Sequence, residues 1–415
     1  MTSYDFLPEL SEGAVKPPVF LTSTFAFKGA GELAALIQTA HDNRGGKSNE
    51  ALPLIYSRIN HPNAEIFEKR FSLWNGSEEA AVFASGMAAI ATTSFAFLRP
   101  GDILLHSSPL YGGTEDFFAR ELRTFGIKTA SFSAESDYSE IKKIAKRACR
   151  RGPLRMIFVE AAANPTNVLA DIEACAEIAE EFSSGKRKAI TVVDNTFLGP
   201  LWLNPFKHGA DLALYSATKY IGGHSDLLAG VVEGKAKMIS RLKSARTRFG
   251  NIAGAFTCWL LTRSLETLKL RMTAQVKNAR RVADFLRDDR RVEKVYYPEF
   301  FEEDSNQNRL YEKQCSAPGA VVSFDIKGGR KTAFRFLDAL KFFKLAVSLG
   351  STEPLAEHPA TTTHYGIPRE KRIRLGITDK MIRLSIGLGS PYDYIFDLKQ
   401  ALDEAVRDRR ARQLR

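Results

Sequence analysis

Along residues 65 to 275, short apolar runs alternate with longer stretches of helical periodicity. The runs Ala80-Ala-Val-Phe-Ala84, Asp102-Ile-Leu-Leu-His106, Arg155-Met-Ile-Phe-Val159, Ala189-Ile-Thr-Val-Val193 and Ala213-Leu-Tyr215 are close to continuously apolar. Such runs predict strands covered on both faces. Strands that alternate with helices predict a mostly parallel, doubly wound α/β sheet. After residue 276 the pattern changes. Val295-Tyr-Tyr297, Ala320-Val-Val-Ser-Phe-Asp325 and Arg383-Leu-Ser-Ile386 read as strands of a smaller α+β unit, closed by a helix from about Tyr392 to Arg412. Residues 1 to 64 show little periodicity. They hold Pro17, Pro18, Pro53, Pro62 and the polar loop Asp42 to Asn49, and read as an irregular arm. The expected organisation is an arm (1–64), a large domain (65–275) and a small C-terminal domain (276–415).

Composition narrows the class. A chain of 415 residues is too long for one ordinary core and fits a large domain plus a small one. A formal net charge of +11 could attract nucleic acid or an anionic surface. The basic residues are dispersed, however. The densest runs, Lys142 to Arg151 and Arg407 to Arg415, fall in helical segments where a solvated face explains them. The 4 cysteines lie far apart without metal spacing and read as reduced thiols of a cytoplasmic protein. Met1 to Glu12 holds acids and no apolar core, and the apolar stretch Met87 to Leu98 is too short to span a bilayer.

Polar groups recur at one kind of place. Ser85-Gly86, Glu160, Asp194 and Ser216-Ala-Thr-Lys219 each fall just after an apolar strand. In open α/β sheets, sites form outside the carboxyl ends of strands, so these groups converge on one crevice. Lys219, flanked by Ser216 and Thr218, offers an amine nucleophile among phosphate-binding hydroxyls. That combination suits a lysine Schiff base with pyridoxal 5'-phosphate (PLP). Alone, Lys219 is as well read as a solvated lysine in a polar turn, and Asp194 as a helix cap.

Eight segments carry a resemblance: Tyr56-Ser-Arg-Ile-Asn-His-Pro-Asn63, Ser85-Gly-Met87, Pro109-Leu-Tyr-Gly-Gly-Thr114, Asn164-Pro-Thr-Asn167, Val193-Asp-Asn-Thr196, Ser216-Ala-Thr-Lys-Tyr220, Ser348-Leu-Gly350 and Arg383-Leu-Ser385. In this order they resemble the Cys/Met-metabolism PLP enzymes: methionine γ-lyase, cystathionine γ-synthase, cystathionine γ-lyase and the O-acylhomoserine sulfhydrylases. The resemblance implies the PLP-dependent transferase fold type I and a homotetramer built from catalytic dimers. It implies PLP bound as a Schiff base to Lys219, with Asp194 on the pyridine nitrogen. A carboxylate there favours the protonated ring, which must be charged to accept electrons. It places Ser85, Gly86, Met87, Ser216 and Thr218 at the phosphate, joined from a neighbouring subunit by Tyr56 and Arg58. It stacks Tyr111 on the ring as a general acid or base, sets Asn164 by the ring oxygen and Thr196 nearby, and puts Glu160 close by. Arg383 would clamp the substrate carboxylate bidentately, beside Ser348.

Two departures bear on the substrate. Val347 stands where cystathionine enzymes of the family usually carry a glutamate, and an apolar residue suits a thioether tail better than a distal ammonium. Gly113 stands where methionine γ-lyases usually carry a cysteine, which resembles the synthases and sulfhydrylases. The expected reaction is γ-elimination from methionine-like substrates. γ-Replacement on an O-acylhomoserine, or cystathionine cleavage, is the runner-up. An aminotransferase and a basic nucleic-acid-binding protein are the readings outside this group.

Overall fold

The computed structural model describes residues 6–43 and 54–407. Part of the Asp42–Asn49 loop and the basic tail beyond Arg407 lie outside the described residues. Seven strands make the larger sheet: β1 (Glu79–Phe83), β2 (Ile103–Ser108), β3 (Lys128–Ser133), β4 (Leu154–Glu160), β5 (Ile190–Asp194), β6 (Leu212–Ser216) and β7 (Gly230–Gly234). Their order is β1-β7-β6-β5-β4-β2-β3. From β6 to β3 all neighbours pair in parallel, and β7 alone is reversed, pairing antiparallel with both β6 and β1.

The strands are apolar on both faces because helices cover both. Ile157 and Val159 of β4 pack into one core and Met156 and Phe158 into the other. Strand β3 escaped the sequence pattern for a physical reason. It is the edge strand, and of its 6 residues only Phe132 is buried, so no apolar run marks it.

The second sheet holds β8 (Val292–Tyr296), β9 (Val321–Ile326), β10 (Lys344–Leu345), β11 (Leu355–Glu357) and β12 (Met381–Ser385), in the order β10-β11-β12-β9-β8. Strands β10 and β11 are two and three residues long, too short to show a period. Helix Leu268–Asp288 packs on β8 and β9 of this sheet, and the boundary expected at 275/276 falls inside it. The closing helix is Pro391–Val406. The arm is less irregular than expected. It contains helix Ala30–Asn43, whose apolar residues Leu33, Leu36 and Ile37 recur at helical spacing. No helix among the described residues is long and apolar enough to cross a membrane. None of the 4 cysteines is disulfide-bonded, and Cys175 and Cys258 are buried.

Candidate active site

The strand ends meet as the pattern implied. Glu160 and Asp194 are direct register neighbours across β4 and β5. Gly230, the first residue of β7, is in register with both Ser216 and Phe83, so it draws the Ser85–Gly86 turn against the end of β6. A Cβ on Gly230 would lie 2.3 Å from the Ser85 carbonyl, so the close approach requires glycine there. Helix Gly86–Phe97 starts at this point, capped by Ser85 Oγ, which accepts the Ala88 N–H at 3.0 Å. The Gly86 and Met87 amides are left without an intrahelical acceptor and aim out of the helix start, an arrangement that binds phosphate.

Above this floor lies a cavity of about 210 Å³. Ser85, Gly86, Met87, Tyr111, Asn164, Asp194, Thr196, Ser216, Thr218, Lys219, Val347 and Arg383 all line it, together with Glu160. Ser348 joins through Lys219, whose Nζ donates to Ser348 Oγ at 2.9 Å. Thr196 holds two neighbours at once: its Oγ1 donates to Asp194 Oδ1 at 2.6 Å and accepts the Ser216 N–H at 2.8 Å. The Thr218 hydroxyl is engaged with the Ala229 backbone, donating to its carbonyl at 3.2 Å and accepting its N–H at 3.0 Å.

The charges on the floor are unbalanced. Burial raises the pKa of both Glu160 and Asp194, and the Asp194 charge raises Glu160 further. Glu160 is held by the Tyr111 and Asn164 N–H groups. Both hydrogen bonds to Asp194 fall on Oδ1, and among the described residues Oδ2 takes none. Two buried carboxylates side by side, without a paired cation among the described residues, suit a ligand that brings its own protonated ring nitrogen. Across the cavity, burial and the Arg383 guanidinium pull the Lys219 ammonium down to about 8. Its amine is therefore partly unprotonated near neutral pH.

The roof comes from the second sheet. Arg383 on β12 stands in register opposite Glu357 on β11, and Nη1 meets Glu357 Oε1 at 2.6 Å with both side chains buried. Nη1 also donates to Asn164 Oδ1 at 3.0 Å and Nη2 to the Ser348 carbonyl at 3.0 Å, while Nε has no partner among the described residues. Thr362 and Thr363 hydroxyls donate to the two Glu357 oxygens. Sequence reasoning missed Glu357. Its signal is the register of two short strands, which no local pattern carries. Floor and roof touch at one more point: a Cβ on Gly112 would sit 2.1 Å from the Thr363 carbonyl.

Tyr56 and Arg58 do not reach this cavity within the chain. Arg58 Nη1 donates to the Thr247 carbonyl at 2.7 Å, and its guanidinium lies 5.7 Å from the Tyr56 ring.

The family model described as Cys/Met metabolism PLP-dependent enzyme matches residues 5–403. The chain belongs to this family. It is 36% identical to the L-methionine γ-lyase of Pseudomonas putida over 397 residues, covering 95% of this chain and 94% of that one. It is 39% identical to the cystathionine γ-lyase of Mus musculus over 351 residues, with 84% and 85% covered. Among solved structures, cystathionine γ-synthase from Xanthomonas oryzae pv. oryzae, in complex with aminoacrylate and cysteine, aligns with a TM-score of 0.84 at 31% identity, covering 95% and 94%. The chain is thus a PLP-dependent enzyme of fold type I. The residues present fit PLP: a free helix start for the phosphate, an uncompensated carboxylate pair for the ring nitrogen, and a buried amine with a lowered pKa between them.

Proposed function

We propose that this enzyme is a carbon–sulfur lyase that eliminates the γ-substituent of methionine-like amino acids and, with one water consumed, releases 2-oxobutyrate, ammonia and a thiol. The observation that carries the substrate side is the mouth of the cavity. Val347 and Leu228 line it and are 58% and 69% exposed, so a substrate tail meets apolar surface there. A distal ammonium at that point would lie against Val347 without a partner.

Bound PLP supplies the electron sink that makes the substrate α-proton acidic. Lys219 holds and moves that proton, its amine kept within reach of neutrality by burial. Arg383 receives the substrate carboxylate through its unpaired Nε and fixes its orientation. Glu357, Asn164 and the Ser348 carbonyl hold the guanidinium in place. Asp194, propped by Thr196, meets the ring nitrogen. Tyr111, with its backbone N–H on Glu160, protonates the leaving group. Tyr56 and Arg58 serve the phosphate of a neighbouring protomer, and the enzyme works as a cytoplasmic homotetramer. The arm, the large sheet and the small sheet act as interface, cofactor and substrate domains respectively.

Gly113 favours a second reading, γ-replacement on an O-acylhomoserine as a cystathionine γ-synthase or sulfhydrylase. A Cβ there would meet Tyr111 Cε1 at 2.8 Å and Met87 Sδ at 3.4 Å, so the ring and thioether fill the space a side chain would need. A panel of methionine, cystathionine, homocysteine and O-acylhomoserines, with and without cysteine or sulfide, separates the two. Methionine turning over to 2-oxobutyrate supports elimination. Product only from an acylhomoserine plus a thiol replaces it with the second reading.

A further inference from the structure

Helix Leu268–Asp288 carries three buried polar side chains at i, i+4 and i+7: Arg271, Gln275 and Asn278. That spacing puts them on one face, one above the other. All three donate to backbone carbonyls of the segments that hold the proposed catalytic groups. Arg271 donates through Nη1 to the Tyr220 carbonyl at 2.7 Å and through Nη2 to Ile221 at 3.3 Å, directly after Lys219. Gln275 Nε2 bridges Ser351 at 2.8 Å and Ile386 at 3.3 Å, each three residues beyond Ser348 and Arg383 respectively. Asn278 Nδ2 continues to Gly387 at 3.1 Å and Gly389 at 2.9 Å.

The three segments also press on one another. A Cβ on Gly350 would lie 2.8 Å from the Tyr220 N and 3.2 Å from the Lys219 carbonyl carbon. A Cβ on Gly223, whose φ is +71°, would lie 1.8 Å from Arg271 Nη1, so that turn is shaped around the guanidinium. The Thr352 N–H reaches the Gly223 carbonyl at 3.1 Å, and Leu388 N–H reaches the Thr352 carbonyl at 2.8 Å.

We propose that this face of the helix, with Gln275 at its centre, is a set of positioning residues that fixes the spacing between Lys219 and the carboxylate clamp formed by Arg383 and Ser348. The inference rests on the roles given above to those three residues. Its distinguishing observation is a cost. Gln275 Oε1 is buried without a hydrogen-bond partner among the described residues. An unpaired buried carbonyl destabilises a fold. A side chain present only to hold the fold together gains nothing from that oxygen, whereas one nitrogen spanning two functional segments gains from its place. Arg271 shows the same logic. It is a buried cation that no acid pairs with among the described residues, and burial draws its pKa down to about 10. Its donors go to carbonyls of the lysine turn and of Ser264 instead.

The test compares the holoenzyme with Gln275→Leu and Gln275→Met. Both variants delete the bridging nitrogen together with the orphaned oxygen. Three readouts are taken: the melting temperature, the dissociation constant for L-norleucine from the shift of the cofactor's visible absorbance, and KM and kcat on the substrate the wild type turns over. The expected result is norleucine affinity and KM weakened about tenfold in both variants, kcat within about threefold, and a melting temperature lower by no more than a few degrees, because the Ser351 and Ile386 carbonyls lose their donor as the orphaned oxygen leaves. Unchanged norleucine affinity overturns the inference. So does a fall in activity that only follows a fall in melting temperature, because that is a structural role. A Lys219→Ala variant that turns over substrate at the wild-type rate instead overturns the reading of the active site itself, independently of the Gln275 variants.

Discussion

The floor and the roof of the cavity handle charge in opposite ways. The floor, at the carboxyl ends of β4 to β6, keeps Glu160 and Asp194 side by side with no cation paired to them among the described residues. The roof, on β11 and β12, pairs its buried Arg383 with a buried Glu357. The floor is therefore completed by a ligand that stays, and the roof is already complete before a ligand arrives. A permanently held cofactor can repay an unfavourable carboxylate pair, because its binding stabilises the folded state. A transient substrate cannot, so its clamp is built around an internal ion pair that leaves two N–H groups spare, on Nε and Nη2.

The contrast is broken most severely at the amine between the two halves. Lys219→Ala should lower turnover by more than about a thousandfold and abolish the visible absorbance of the purified protein. Assays on the substrate panel and a spectrum check both. Next comes the floor. Asp194→Asn should lower kcat/KM by roughly a hundredfold or more, since the charge facing the ring nitrogen is lost. The same change sharpens the electrostatic picture in the cofactor-free protein. Glu160 and Asp194 hold protons more tightly folded than unfolded, so stability falls as pH rises from the carboxylate range towards neutrality. Urea unfolding at a series of pH values should show that slope, and Asp194→Asn or added PLP should flatten it.

The roof responds in stability first. Glu357→Ala leaves Arg383 buried and unpaired, which should cost roughly 3–5 kcal/mol in urea unfolding. A loss near zero would mean water already reaches the guanidinium. The smallest effect belongs to the rim. Val347→Glu should improve KM for cystathionine over methionine by only about two- to fivefold, because the side chain is 58% exposed and an ion pair there is screened.

The same contrast explains what the sequence disclosed. The floor is local: each of Ser85, Glu160, Asp194 and Ser216 ends an apolar run, so a linear pattern marks both the strand and the polar group. The roof is not. Glu357 meets Arg383 only through the register of β11 with β12, and β11 is three residues long. Strand β3 was hidden by its edge position, and the arm's helix Ala30–Asn43 by prolines on either side. Gln275 looks like any polar residue on a long amphipathic helix until the carbonyls it meets are in view. Positions set by strand ends are legible in one dimension. Positions set by packing between two sheets are not.

Gly112 has a consequence for how this pocket can change. The Thr363 carbonyl occupies the space a side chain would need, so the two halves are separated at that point by the width of a hydrogen atom. Any larger residue there must displace the Thr363 backbone, which belongs to the segment that holds Glu357. The rim, where Val347 and Leu228 are exposed, can change residue by residue, while position 112, next to Tyr111, admits only glycine unless the Thr363 backbone moves.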